Sequence, residues 1–270
     1  MADRVHRAAM LVGIGELAAI LSGAFITGSR IAFAPHQQAT GPDAHQFIAI
    51  AALLLALGFC VWVSSAGGSR LIRVAAWFAF ASLALAGATG WAAPRSPAWL
   101  VCHALFSHLS IALMSATLML SSDGWRQPPE PVSAGSWNFL RPAAVAMPPA
   151  VLVQISLGAL YRHQIIGVMP HMLGAMVVAL LTLVIAVILL QHFPHQRELK
   201  TAATALISLV IAQVCLGITV FLILLLGVGD TPWFVWASTG HVCVGTLTFA
   251  ASVAAAMQVR RYMAPASPAR

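Results

Sequence analysis

The sequence predicts an all-α integral membrane protein, with eight transmembrane helices in two pseudosymmetric four-helix bundles. Three observations carry that expectation. Of the 270 residues 60% are hydrophobic and 8% charged, where soluble domains run about 25% charged, and the mean hydropathy is +0.89. Apolar runs of the roughly 20 residues needed to cross a bilayer occur eight times. Glycine and histidine then recur in a fixed order at the ends of those runs, as a duplicated unit would leave them. The lipid bilayer is therefore the expected surrounding. The formal charge of +7 does not speak for nucleic acid, because the basic residues are scattered at the ends of apolar runs and never form a face.

The spans fall near residues 8–29, 45–66, 71–93, 98–121, 141–162, 168–191, 201–227 and 233–258. The first is long enough to cross and has no small-residue cleavage site leading into a soluble domain, so it reads as a span rather than a cleaved signal. Residues 123–140 contain Gln-Pro-Pro-Glu-Pro and Ser-Ala-Gly-Ser and read as a linker. They divide an N-terminal bundle, residues 1–122, from a C-terminal one, residues 141–270. Eleven arginines and lysines fall at the two termini and in the second, fourth and sixth loops; only Arg30, Arg95 and Arg162 fall on the other side. That bias puts both termini in the cytoplasm. The loop over 30–44 is the sizeable polar segment on the outer side and reads as a lid. Cys60, Cys102, Cys215 and Cys243 lie in or beside apolar runs with no Cys-x-x-Cys and read as packing thiols.

The chemistry is expected at four histidines. Gly23 near the end of the first span precedes His45 at the start of the second, and Gly158 precedes His171 in the same way. Gly87 leads to His108 and Gly217 to His241. Each histidine has a small residue four positions on: Ala49, Ala112, Ala175 and Gly245. That offset lies on the same helix face one turn away, which clears a flat space beside the imidazole. All four histidines begin even-numbered spans, so they share one side of the membrane. Two facing helices of a bundle can each supply one axial ligand to an iron porphyrin, pairing His45 with His108 and His171 with His241. His103 competes with His108; the residues following His108 match those following His241 more closely, and His108 is preferred.

Arg162 and Arg30 are candidates for gripping carboxylates of such a group, because a guanidinium matches a carboxylate in shape. His36 and His163 lie in outer loops and read as exposed or as touching the same group. His6, His192 and His195 read as solvated. Glu16, in the middle of the first span, is either a functional carboxyl or a protonated one bonded to a neighbouring helix. Gln154 and Gln213 each stand four residues before a repeat glycine and read as interhelical hydrogen-bonding groups.

The stretch Gln-Ile-Ser-Leu-Gly-Ala-Leu-Tyr-Arg-His with a following Pro-His-Met-Leu-Gly-Ala, and Gln-Val-Cys-Leu-Gly-Ile-Thr-Val with a following Gly-His-Val-Cys-Val-Gly, resemble the C-terminal half of haem A synthases. The resemblance implies that His171 and His241 hold a cofactor haem b, while His45 and His108 face the substrate haem O. It implies oxidation of the haem O C8 methyl to a formyl group for cytochrome oxidase assembly, in a bacterial inner membrane. Haem O synthase, cytochrome oxidase subunits or a second copy of the chain are the implied partners. The family has a Glu three residues before its first histidine and an Arg just after it; here Pro42 and Gln46 stand there. Asp43 is the nearest carboxyl and the candidate catalytic residue. The loop over 30–44 also lacks the cysteine pair of many bacterial members. The alternatives are a two-haem b-type electron-transfer cytochrome and a non-catalytic haem-binding accessory subunit of a respiratory complex.

Overall fold

The computed structural model describes residues 2–33, 42–92, 96–127, 129, 132 and 139–263. Among them are nine helices and no strand. The long ones are α1 (Ala2–Phe33), α2 (Pro42–Ser65), α3 (Arg70–Ala92) and α4 (Pro97–Ser121), then α6 (Leu140–Arg162), α7 (Val168–His192), α8 (Arg197–Leu225) and α9 (Pro232–Tyr262), with a single-turn α5 (Asp123–Arg126) between the two sets. All eight long helices are apolar and long enough to cross a membrane. In hydrocarbon every backbone group must be bonded within its own segment, which is why these apolar runs are helical throughout. Helix α1 starts earlier than the apolar run because Asp3 and Arg7 form an ion pair one turn apart, and such a pair supports the helix beyond the lipid.

Helices α1 to α4 pack in a ring, each on the next and α4 on α1; α6 to α9 repeat that ring. The rings meet where α9 packs on α1 and α4, and α4 on α6. Close approach there depends on small residues: a Cβ at Gly28 of α1 would stand 3.0 Å from Ser238 Oγ of α9. Ser115 Oγ of α4 donates to Ala250 O of α9 at 3.0 Å. The first residues of the linker are docked, since the Arg261 guanidinium of α9 donates to the carbonyls of Gly124, Trp125 and Gln127 and lies 4.7 Å from the Trp125 ring centroid.

The apolar core of each ring is gathered toward one end. In the first it comprises Val5, Ala9, Val12, Phe59, Val63, Ala76, Ala79 and Met114 with their neighbours, from the starts of α1 and α3 and the second halves of α2 and α4. In the second, Leu140, Met147, Ile185, Leu189, Leu199, Leu206 and Val259 do the same. The starts of α2, α4, α7 and α9, where the histidines lie, are at the other end.

Candidate functional site

Each ring of helices holds two neighbouring imidazoles with steeply inclined planes at that other end. The His45 and His103 centroids are 6.1 Å apart at 89°, and those of His171 and His241 are 6.2 Å apart at 79°. The C-terminal pairing is the expected one. In the N-terminal half the imidazole beside His45 is that of His103, where His108 was expected. His108 lies five residues beyond His103, about 140° further round α4; it is buried, and its Nδ1–H donates to Ala104 O of its own helix at 2.6 Å.

Each of the four paired rings rests on a glycine of the preceding helix. A Cβ at Gly23 would lie 3.0 Å from His45 Cε1, at Gly90 2.8 Å from His103 Nδ1, at Gly158 2.9 Å from His171 Cε1, and at Gly217 3.1 Å from His241 Cε1. The repeat is therefore real as packing, with one substitution: the third glycine is Gly90, and a Cβ at Gly87 would meet nothing within 4 Å. The signal was present in the spacing, because thirteen residues separate Gly90 from His103 and Gly158 from His171.

Groups on the same preceding helices hold each ring from behind. His45 Nδ1–H donates to Ser22 Oγ at 2.9 Å, and the Ser22 hydroxyl passes on to Ala19 O at 2.9 Å. His103 Nδ1–H donates to Ala86 O at 2.7 Å. In both, Nδ1 is engaged and Nε2 keeps its lone pair, the arrangement that orients a ligating imidazole. In the second ring Gln154 Nε2 donates to His171 Nδ1 at 2.9 Å and to His171 O at 2.8 Å, and Gln213 Nε2 donates to His241 Nε2 at 3.2 Å. The expected interhelical glutamines are thus aimed at the histidines. Gln154 Oε1, Gln213 Oε1 and His241 Nδ1 are each buried with no partner, which is costly for a polar atom.

No group of three or more metal-ligating side chains occurs among the described residues. Two imidazoles are a poor cage for a bare ion, which takes four or more ligands, but they suffice where a macrocycle supplies the rest. The spacing fits: with metal–nitrogen bonds of about 2.0–2.1 Å, a metal midway between two imidazoles sets their centroids roughly 6.3 Å apart.

Arg162, at the end of α6, reaches across to the first ring, where its Nη2 donates to Ala24 O of α1 at 2.8 Å. Its Nε is buried without a partner, so the guanidinium keeps donor capacity between the two pairs, next to the glycine under His45. Arg30 is exposed in the last turn of α1. His163 follows Arg162 and is half-buried; burial, reinforced by the Arg162 and His103 charges, holds its imidazole below the usual histidine range. The candidate catalytic Asp43 lies in the first turn of α2, but its side chain is outside the described residues, as are residues 34–41 with His36, and Arg95. His6 is not simply solvated: its Nδ1 lies 3.2 Å from Leu118 O and from Ser121 Oγ of α4. An open groove between α2 and α3, lined by Ser64, Arg73, Trp77 and Phe78, is remote from these histidines. No family model matches the chain, and no curated protein matches it.

Proposed function

We propose that the chain binds an iron porphyrin in each half, one held by His45 and His103 and the other by His171 and His241, and that it is a haem A synthase-like oxidoreductase of a bacterial cytoplasmic membrane. The observation that carries the reading is the equal separation of the two pairs, 6.1 and 6.2 Å, each ring seated on a glycine. In this reading haem O occupies the N-terminal half and haem b the C-terminal half. Bound haem supplies the redox chemistry by which the C8 methyl of haem O becomes a formyl group. The protein's own residues do the rest. The imidazoles fix the plane of each group, Arg162 and Arg30 receive its carboxylates, and the apolar helices exclude water.

Pro42 and Gln46 flank the first histidine, which favours a second reading: a two-haem cytochrome that passes electrons and transforms nothing. Co-expression with a haem O source followed by haem extraction separates the two, since the synthase yields haem A and the cytochrome does not. The ligand assignment has its own test. His45→Ala and His103→Ala each remove the N-terminal haem from the pyridine haemochrome count, and His108→Ala leaves it; the reverse pattern overturns the pairing.

A further inference from the structure

The groove between α2 and α3 belongs to neither histidine pair. Helix α3 packs chiefly on α4 and only lightly on α2, which leaves a furrow open to the bilayer, lined by Ser64, Arg73, Val74, Trp77, Phe78 and Ala81. The α3 residues among them recur in steps of three and four, so they share one face. Arg73 lies in the first turn of α3, Trp77 about 6 Å further along the axis and Ala81 about 12 Å. Val74, Trp77, Phe78 and Ala81 are exposed. The Trp77 indole N–H donates to Ser64 Oγ of α2 at 3.1 Å, which ties the ring to the furrow's other side.

Polarity changes along the furrow in a set order: a cation at the membrane face where α1 and α3 begin, an aromatic ring one turn deeper, and apolar side chains beyond it. Arg73 is half-buried and Arg70, one turn earlier, is exposed; neither guanidinium forms an ion pair among the described residues. The described acids have none to offer. Asp3 pairs with Arg7 and Asp123 with Arg126, Glu198 accepts from the Tyr262 hydroxyl, and Glu16 is buried inside the bundle. Asp43 and Asp230 belong to the opposite face, where α2 and α9 begin. The start of α3 adds the partial positive charge of a helix N-terminus, so the mouth of the furrow lacks a counter-anion from the described chain.

We propose that this furrow is a binding site for an anionic glycerophospholipid, with the phosphate at Arg73 and one acyl chain along Val74, Phe78 and Ala81. The polarity of such a lipid runs in the same order as that of the furrow: charged phosphate, ester-linked glycerol at the depth of Trp77, hydrocarbon beyond. A guanidinium grips a phosphate through paired N–H donors, a tryptophan settles at headgroup depth, and basic pockets between membrane helices take anionic headgroups. A free phosphate would use the cation and leave the apolar length uncovered. A zwitterionic lipid would cover that length but bring a second cation to Arg73. The inference is independent of the histidine pairs and of what they hold.

The test uses the full chain, delipidated in an uncharged detergent and offered phosphatidylglycerol, phosphatidylcholine or inorganic phosphate, with the retained ligand counted by native mass spectrometry. The wild type is expected to hold phosphatidylglycerol about tenfold more tightly than phosphatidylcholine, the worth of a charge-assisted hydrogen bond. Arg73→Gln lowers retention of phosphatidylglycerol to that of phosphatidylcholine, and Arg73→Lys, which keeps the charge, keeps a preference. Arg4→Gln, at an exposed arginine outside the furrow, leaves the preference as in wild type. Ala81→Trp fills the apolar length from an exposed position and displaces both lipids. Equal retention of the two lipids by the wild type, or an unchanged preference in Arg73→Gln, overturns the inference. So does inorganic phosphate that displaces phosphatidylglycerol at equal concentration, which marks a bare anion site.

Discussion

Adding a single methyl group at Gly90 separates the two registers that the sequence allows for α3 and α4. The Cβ of Gly90→Ala would stand 2.8 Å from His103 Nδ1 and 3.1 Å from Cε1, where ordinary carbon contacts lie at about 3.5–4.0 Å. The ring must retreat by roughly 0.7 Å, beyond what a metal–nitrogen bond of about 2.0–2.1 Å absorbs. The retreat also strains the 2.7 Å bond from Nδ1 to Ala86 O. Loss of such rear support costs about 10–100-fold in affinity, equivalent to about 1.4–2.7 kcal/mol. Gly87→Ala is the control, because its Cβ meets nothing within 4 Å. Both positions are inside α3, where alanine is favoured over glycine by about 0.5–1 kcal/mol, so unfolding does not explain a loss in either variant. The assay is a Soret titration of apoprotein with haemin in detergent. Equal affinities of Gly90→Ala and wild type, or an equal loss in Gly87→Ala, would refute the argument.

Gln154→Leu and Gln213→Leu each free a ring nitrogen of the C-terminal pair from an amide N–H; a neutral imidazole that accepts such a bond carries its proton on the other nitrogen, so each variant is expected to bind haem in that half more tightly, with the N-terminal half unchanged in the same titration. His163 gives a pH signature. Its imidazole is held below its unfolded value, near 6.5, by burial and by the Arg162 and His103 charges. The folded state therefore binds fewer protons than the unfolded one below that value, and stability falls with pH there. The contribution is complete above about pH 6.5 and is lost as pH falls toward the depressed folded value. Thermal unfolding in detergent should show a smaller acid loss for His163→Gln than for wild type; equal losses would exclude the assignment.

Hydropathy located the eight crossings because the cost of an unsatisfied backbone in lipid leaves helix as the answer. It did not locate their ends. Hydropathy reads the lipid boundary, whereas the helix hydrogen-bond ladder runs on: α1 begins at Ala2 and α9 continues to Tyr262, past Arg260 and Arg261. The repeat of glycine and histidine is legible in the sequence, but in α3 and α4 the glycine and ring that meet are Gly90 and His103, one turn after Gly87 and five residues before His108. Similarity between the residues after His108 and those after His241 carries less physics than the distance between a ring and the glycine beneath it. The role of Gln154 was nearly readable. It stands four residues before Gly158, so both lie on one helix face, and whatever ring rests on the glycine is within reach of the amide. His6 misled because flanking charges suggest solvent, while its partners Leu118 and Ser121 lie 112 and 115 residues away in sequence.

The two halves share a plan and differ in how they hold their imidazoles. In the C-terminal half, side-chain amides from α6 and α8 reach the rings, and Gly174 and Gly245, one turn or less beyond each histidine, make room for Gln154 and Gln213. In the N-terminal half the positions four before the supporting glycines are Ala19 and Ala86; a Ser22 hydroxyl and a backbone carbonyl do the orienting instead. Long amides fill the space behind the C-terminal rings and tie them to two helices. Alanines leave the N-terminal rings on shorter tethers beside a buried acid. Duplication explains the glycines, which seat the rings in both halves, and divergence after it explains the rest: the amides of Gln154 and Gln213 bond the rings in one half, and a hydroxyl and a backbone carbonyl do so in the other.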